Sequence, residues 1–164
     1  KRRNLSFPAT ISFDLTPKSL SISLPLPPSI NQQYATVNGR RVLSSMGRQY
    51  KNTISQILLG SLAQSTHRTS FLKAVSSHFL ALSIHFYFTS LLRRDIDGGL
   101  KISQDALCEA LGVNDNRIVE IHLFKTLDRD NPRLDCTLTI NNLLPAEAQQ
   151  HSLSRYLLNR HIKS

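Results

Sequence analysis

The clearest strand pattern in the chain is the run Leu80-Ala81-Leu82-Ser83-Ile84-His85-Phe86-Tyr87-Phe88. Large apolar residues occupy every second position, which predicts a β-strand with one face buried in a core. His85 falls on the other, more polar face, so we interpret it as a half-exposed strand residue rather than a ligand. The run ends a few residues before Arg93-Arg94-Asp95-Ile96-Asp97, the segment with the densest charge.

Further elements are predicted after this strand. Residues 100–111 carry apolar side chains at helical spacing and are followed by Gly112, a residue type that often ends helices. Residues 118–125 and 134–140 alternate like strands. Pro145 opens a predicted amphipathic C-terminal helix, because proline suits the first helical turn.

The sequence before the strand predicts a similar mixture. Its prolines at 25–28 exclude a central strand there, since proline lacks the amide that pairs with a neighbouring strand. Asn38-Gly39 is typical of a tight turn, and Ser44 or Ser45 can cap a following helix. The sequence predicts strands at 10–15 and 20–24 joined by a turn, followed by an extended exit at 25–29 and a loop or small hairpin at 31–45. A helix is predicted from Met46 to about Ala63. The stretch after it is uninformative, and one interpretation is a helix from Ser70.

This order of elements predicts an α+β (mixed α/β) fold with a single mixed β-sheet and helices packed on it. The length of 164 residues suits one compact domain with a real core. No apolar run approaches the ~20 residues needed to span a bilayer, and no secretory signal pattern begins the sequence. Cys108 and Cys136 lack metal-ligand spacing, so we expect two buried thiols in a cytoplasmic protein with no membrane partner.

The formal net charge of +9 is unevenly distributed. Residues 1–94 contain a single acidic residue, Asp14, against twelve Lys or Arg, whereas residues 95–164 contain ten acids and eight bases. A basic half of this kind indicates a polyanionic partner, with nucleic acid as the first candidate and a partnerless basic surface as the other interpretation.

Two carboxylates follow the predicted strand closely. If the backbone there stays extended, Asp95 and Asp97 point to the same side with Cα atoms about 7 Å apart. Such a pair can share Mg²⁺, which takes few carboxylates and completes its shell with water and phosphate oxygens. Asp115 lies in the turn after the predicted helix, and a strand–helix–strand return would bring it nearby. Each aspartate alone is equally typical of an ordinary turn, but carboxylates repel phosphate unless a cation bridges them, so their cluster in a basic chain indicates metal.

Lys101 lies four residues after Asp97, and the two share a helix face if the helix begins by Gly98. A lysine beside a bound phosphate would stabilise the negative charge that develops during cleavage. Asp105, one turn further along, is placed to orient Lys101, although the pair alone is also typical of a solvated helix surface.

With these motifs, the chain resembles the RusA family of Holliday-junction resolvases, found in bacteria and their phages. The resemblance covers about residues 20–141, and its motifs keep the family's order and approximate spacing. They are Leu24-Pro25-Leu26-Pro27-Pro28-Ser29, Asn31, Tyr34, Gly39-Arg40, Ser45, Gly47 and Tyr50, then Arg93-Arg94-Asp95-Ile96-Asp97, Lys101, Asp105-Ala106-Leu107 and Asn114-Asp115 leading into Ile118. Residues 1–19, expected to add a strand, and 142–164, expected to be helical, extend beyond the family core.

The resemblance implies a metal-dependent endodeoxyribonuclease with Asp95, Asp97 and Asp115 as metal ligands and Lys101 assisting catalysis. The implied cofactor is Mg²⁺, with Mn²⁺ as a substitute, and the implied products carry 5′-phosphates. A four-way junction needs two symmetric nicks during recombination and repair, so we expect a homodimer acting on branched DNA. The candidate DNA-binding residues are Arg40, Arg41, Arg48, Lys51, Arg93, Arg94 and Arg117.

One departure from the family and three alternative functions accompany this hypothesis. The family often has asparagine at the position of Gly98, so a polar side chain that could touch substrate or order the loop is missing here. The alternatives are a related nuclease acting on flaps, forks or single strands, and a branched-DNA-binding protein with a weakened catalytic site. The third alternative, a basic structural protein that binds RNA or ribosomes, is supported by charge alone.

Overall fold

A five-stranded mixed sheet forms the centre of the protein in the computed structural model, which describes residues 7–92 and 94–141. The strands are β1 (Phe13–Leu15), β2 (Ser19–Leu24), β3 (Tyr34–Val37), β4 (Arg40–Leu43), β5 (Leu80–Phe88), β6 (Ile118–Leu127) and β7 (Arg133–Ile140). The helices are α1 (Ile30–Gln33), α2 (Ser45–Ala63), α3 (Arg68–Ser77) and α4 (Leu100–Leu111), and a single 3-10 turn covers Asp115–Arg117.

The sheet has the strand order β1-β2-β7-β5-β6, while β3 and β4 form a separate hairpin. Neighbouring strands of the sheet are antiparallel except β5 and β6, which are parallel. A parallel pair needs a crossover connection, and here residues 89–117 supply it, with α4 in the middle. This crossover contains every carboxylate that the sequence predicts as a metal ligand.

The core lies between one face of the sheet and the helices. Alternate side chains of β5 are buried on that face, as the sequence predicts for a half-buried strand. The helices α2, α3 and α4 contribute their apolar stripes from above. The largest fully buried side chains are Tyr50, Phe71, Phe86, Leu20, Ile22, Leu24, Ile54, Leu58, Leu62, Leu80, Leu82 and Ile84.

The opposite face of the sheet is polar, and its side chains are linked across strands. The hydroxyl groups of Ser21 and Thr137 lie 3.0 Å apart, and Ser23 donates to Asp135 at 2.7 Å. His85 lies on this face as an intermediate, half-exposed residue, 2.6 Å from the Thr126 hydroxyl. The expectation that His85 is a strand residue of the polar face is confirmed.

The structure confirms most of the predicted elements and decides between the alternatives. The segment 31–45 contains a hairpin, and α3 exists, beginning at Arg68 rather than Ser70. Ser44 is the cap of α2, since its hydroxyl accepts the Gly47 amide at 2.9 Å. β1 begins only at Phe13, so the first predicted strand is shorter than expected. The helix predicted from Pro145 lies outside the described residues.

Two predictions about chemistry and location can also be compared with the structure. Cys108 and Cys136 are both buried and neither forms a disulfide, as expected. In residues 7–92 and 94–141, no helix combines the length and the apolar character that crossing a membrane requires. The boundaries of the family-like domain at residues 20 and 141 stay a prediction.

Candidate functional site

A cavity of about 350 Å³ opens where β5 ends and the crossover begins. Asp95 and Asp97 both contribute to its wall, and both are exposed. The opposite wall is the proline-rich segment that the sequence predicts as an extended exit from β2. The lining residues are Pro27, Pro28, Ser29, Ile30, Asn31, Phe88, Arg94, Asp95, Asp97, Gly98 and Gly99.

The backbone that carries the two aspartates forms a turn. The amide of Gly98 donates to the Asp95 carbonyl at 3.3 Å, and the amide of Leu100 donates to the Asp97 carbonyl at 3.0 Å. The extended backbone expected between Asp95 and Asp97 is therefore wrong, because the chain must reverse here to enter α4. The two carboxylates nevertheless reach the same cavity.

A buried glutamine that sequence patterns did not single out holds this turn in place. Gln33 is only 2% exposed, and its side-chain amide donates to the carbonyls of Pro28 at 2.9 Å and Gly98 at 2.8 Å. It therefore ties the two walls of the cavity together. A buried polar side chain needs such partners, but a glutamine in a short helix carries no signal that would reveal them.

Arg94 braces the same cavity from inside the protein. Its guanidinium donates to the Pro27 carbonyl at 2.7 Å and lies 5.4 Å from the centre of the Phe88 ring. Burial lowers the pKa of Arg94 from its usual value. This arginine, predicted as a phosphate contact, thus also has a structural role.

Lys101 and Asp115 belong to a second cluster, on α4 and the turn that follows it. The Lys101 ammonium lies 2.7 Å from an Asp105 oxygen and 3.0 Å from an Asp115 oxygen. The hydrogen bond to Asp105 is the largest cause, and the one to Asp115 the next largest, of a pKa of Lys101 above its usual value. The predicted pairing of Lys101 with Asp105 is confirmed. A shared face with Asp97 depended on a helix beginning by Gly98, but α4 begins at Leu100.

The described contacts divide the carboxylates of the crossover into two groups, with Asp95 and Asp97 lining the cavity and Asp115 paired with Lys101. Because β5 and β6 are parallel, the residues after β5 and those before β6 lie at opposite ends of these strands. Within the part of the chain that the structure describes, no three His, Cys, Asp or Glu side chains are grouped so that they could hold a metal ion. The three-aspartate metal site stays a prediction, with Asp95 and Asp97 in the cavity and Asp115 beside Lys101.

Two of the predicted DNA-binding arginines lie on the β3–β4 hairpin. Arg40 and Arg41 are exposed on β4, and the Arg41 guanidinium stacks on Tyr34, 4.3 Å from the ring centre. The hairpin turns at Asn38 and Gly39, which both have positive φ angles. It presents its basic side chains to solvent beside the helix that lines the cavity.

The remaining predicted DNA-binding residues differ in exposure and in the protein groups that they already contact. Arg48 is exposed on α2 and donates to the Leu43 carbonyl. The side chain of Lys51, a predicted DNA contact, is only 18% exposed and forms an ion pair with Glu109, because α4 packs against α2 at this point. Arg117 ends the 3-10 turn, and Arg93 lies outside the described residues.

The described structure is an α+β domain in which exposed carboxylates lie among basic side chains. The crossover junction endodeoxyribonuclease rusA of Enterobacteria phage 82 is 29% identical over 119 residues, which are 72% of this chain and 92% of that protein. The proteins named crossover junction endodeoxyribonuclease RusA from Shigella sonnei (strain Ss046) and Escherichia coli (strain K12) are 28% identical over 120 residues, 73% of this chain and 92% of each relative. No family model matches the chain. These similarities support the resemblance of the chain to the RusA family.

Proposed function

We propose that this protein is a metal-dependent endodeoxyribonuclease that resolves Holliday junctions by symmetric paired nicks. The observation that carries the proposal is the cavity in which Asp95 and Asp97 meet beside Arg94, in a chain whose relatives are named crossover junction endodeoxyribonucleases. The unequal charge distribution supports a nucleic-acid substrate. The relatives' sources, a phage and enterobacteria, support action on DNA in a bacterial cytoplasm.

The donor chemistry of the cavity fits Mg²⁺, with Mn²⁺ as a substitute. Asp95 and Asp97 offer carboxylate oxygens in an open space of about 350 Å³, and Mg²⁺ is commonly held by one or two carboxylates with water and phosphate oxygens. When bound, the metal would polarise the scissile phosphate and supply an activated water nucleophile. Asp115, as the third proposed ligand, would have to share its oxygens with Lys101.

The side chains of this protein have separate tasks in the proposed reaction. Asp95 and Asp97 would orient the metal at the cavity wall. Lys101, kept protonated by Asp105 and Asp115, would stabilise charge on the phosphate as the bond to the 3′ oxygen breaks. The 5′ end of each nick would keep the phosphate.

The proposed assembly is a homodimer, because two identical sites related by a two-fold axis match the two nicks needed by a four-way junction. The exposed arginines Arg40, Arg41 and Arg48 would contact phosphates. If so, junction affinity falls steeply as salt rises, whereas Arg94 and Lys51, which are held by protein groups, contribute less to that dependence.

Cleavage of a labelled four-way junction in Mg²⁺ tests the proposal. Asp97→Asn and Asp115→Asn should each lower the rate by on the order of a hundredfold, as loss of a group that stabilises transition-state charge does. Asp130→Asn, an exposed turn residue, is the matched control and should cut normally. Wild-type rates in Asp97→Asn, or full activity after metal chelation, would refute metal-dependent catalysis at this cavity.

A weakened junction-binding protein is the second candidate, and Gly98 is the residue that favours it. An added Cβ at Gly98 would meet only the Asp95 carbonyl oxygen, at 3.5 Å, so the backbone there leaves room for the first side-chain carbon of an asparagine. Under this alternative, Gly98→Asn raises the cleavage rate severalfold while the affinity for the junction changes little. Comparing a four-way junction with a flap and a continuous duplex separates both candidates from a nuclease of different structural preference.

A further inference from the structure

Leu92 is the most exposed large apolar side chain among the described residues. It is 97% exposed, whereas the next, Phe7, is 56% exposed. Leu92 lies in the crossover between β5 and α4, three residues before Asp95. Three residues span at most about 10 Å, so this leucine stands beside the carboxylate-lined cavity.

The loop that carries Leu92 is held firmly at its base. The Lys125 ammonium, on β6, donates to the carbonyls of Leu91 at 3.1 Å and Arg94 at 3.2 Å. One lysine therefore grips the residues on either side of the tip. The Arg94 guanidinium fixes the same loop to the Pro27 carbonyl at 2.7 Å. A flexible loop could fold its leucine inward, but this one presents the side chain to solvent.

The surroundings of Leu92 indicate the kind of partner that would cover it. The charges of Arg94 and Lys125 lie at the base of the loop, and each adds positive potential near Leu92. A partner must therefore offer negative charge and apolar surface close together. Branched DNA does so, because phosphates lie next to the faces of bases that have lost a stacking neighbour at the branch point.

We propose that Leu92 is a wedge that inserts between base pairs at the branch point of a DNA junction and thereby favours cleavage of branched over continuous DNA. The inference rests on the proposed function and adds a specificity-determining residue to it. Apolar wedges unstack base steps in several DNA-bending proteins, and a wedge has least unstacking to do where the stack of bases is already interrupted, as at a branch point. The wedge would also place the branch point beside Asp95 and Asp97, so that the nicks fall close to it.

Fluorescence of 2-aminopurine at the branch point tests the wedge directly. With EDTA present to prevent cleavage, wild-type protein should raise the fluorescence of a bound junction severalfold. Leu92→Ala should abolish most of that rise, and Leu92→Phe should keep it. Leu59→Ala is the matched control, since Leu59 is an exposed leucine of α2, 45% exposed and outside the crossover.

Cleavage rates give a second readout. Leu92→Ala should cut a fully paired junction about tenfold more slowly than wild type, which corresponds to ~1.4 kcal/mol of activation free energy. Its rate should return to that of the wild type on a junction with two unpaired bases at the branch point. An unchanged fluorescence signal in Leu92→Ala, or an equal loss of cleavage rate on both junctions, would refute the wedge without refuting the proposed nuclease activity. Loss of self-association in Leu92→Ala would assign the leucine to a protein interface instead. If the wild type cuts no junction, the proposed function itself fails.

Discussion

Replacing two adjacent glycines at the start of α4 should have opposite consequences. A Cβ built on Gly99 would lie 2.6 Å from Cγ of Pro27 and 3.0 Å from Cε1 of Phe86. Both neighbours are buried, and Phe86 is 0% exposed, so neither can move aside cheaply. Inserting a methyl group into such packing costs about 1–3 kcal/mol. At Gly98 the nearest atom is 3.5 Å away, an ordinary contact, and Gly98→Ala should be neutral or stabilise by up to ~1 kcal/mol through the unfolded chain.

Urea unfolding followed by far-ultraviolet circular dichroism measures the difference between the two variants. With a slope of roughly 2 kcal/mol per molar urea, a difference of about 2 kcal/mol separates the two midpoints by about 1 M. Gly99→Ala should also slow junction cleavage, since Pro27 and Gly99 both line the cavity and the added methyl group would displace them. Equal midpoints for the two variants would refute the argument that Gly99 is packed too tightly against Pro27 and Phe86 to accept a methyl group.

Three further predictions concern separate parts of the molecule. Ser44→Ala removes the cap of α2 and should lower the free energy of unfolding by about 1 kcal/mol, measured by the same urea titration. Burial raises the pKa of the Cys108 thiol to about 11 and that of Cys136 to about 12, so both should stay unreactive toward a thiol-specific disulfide reagent at neutral pH until urea unfolds the chain; rapid reaction of the native protein would contradict the described burial. Asp105→Asn removes one of the two carboxylates that hold Lys101 and should slow single-turnover cleavage about tenfold, on the scale of losing a group that orients a site, while an unchanged rate would show that Asp115 alone positions the lysine.

Periodic burial explains which elements the sequence predicts well. The strand β5 and the helices α2 and α4 each bury a regular set of apolar side chains, so the spacing of those residues carries the structure. The helix α1 has only four residues, too few to show any period. The backbone turn at Asp95 depends on Gln33, which lies 65 residues away from Gly98 in the chain, and no local pattern encodes such a contact.

The candidate site divides in the same way into local and distant contacts. Lys101 and Asp105 are four residues apart on one helix, so their pairing follows from helical geometry. The partner of Lys51 could not be predicted likewise, because Glu109 belongs to another helix. The solvent-facing side of α2 is defined by where α4 packs, which is a property of the tertiary structure.

The parallel pairing of β5 with β6 has a consequence for how the protein matures. Antiparallel strands that are joined by a short turn can pair early in folding. The parallel strands β5 and β6 pair only after residues 89–117 have closed a long loop. Because closing a long loop costs entropy, such pairings are late events in folding. That segment contains Leu92, Asp95 and Asp97, and also Lys101 with its two carboxylate partners. The hydrogen bond from Lys125 to the Leu91 carbonyl also requires β6 to be in place. The cavity that Asp95 and Asp97 line therefore reaches its described form only after β6 has taken its place at the edge of the sheet.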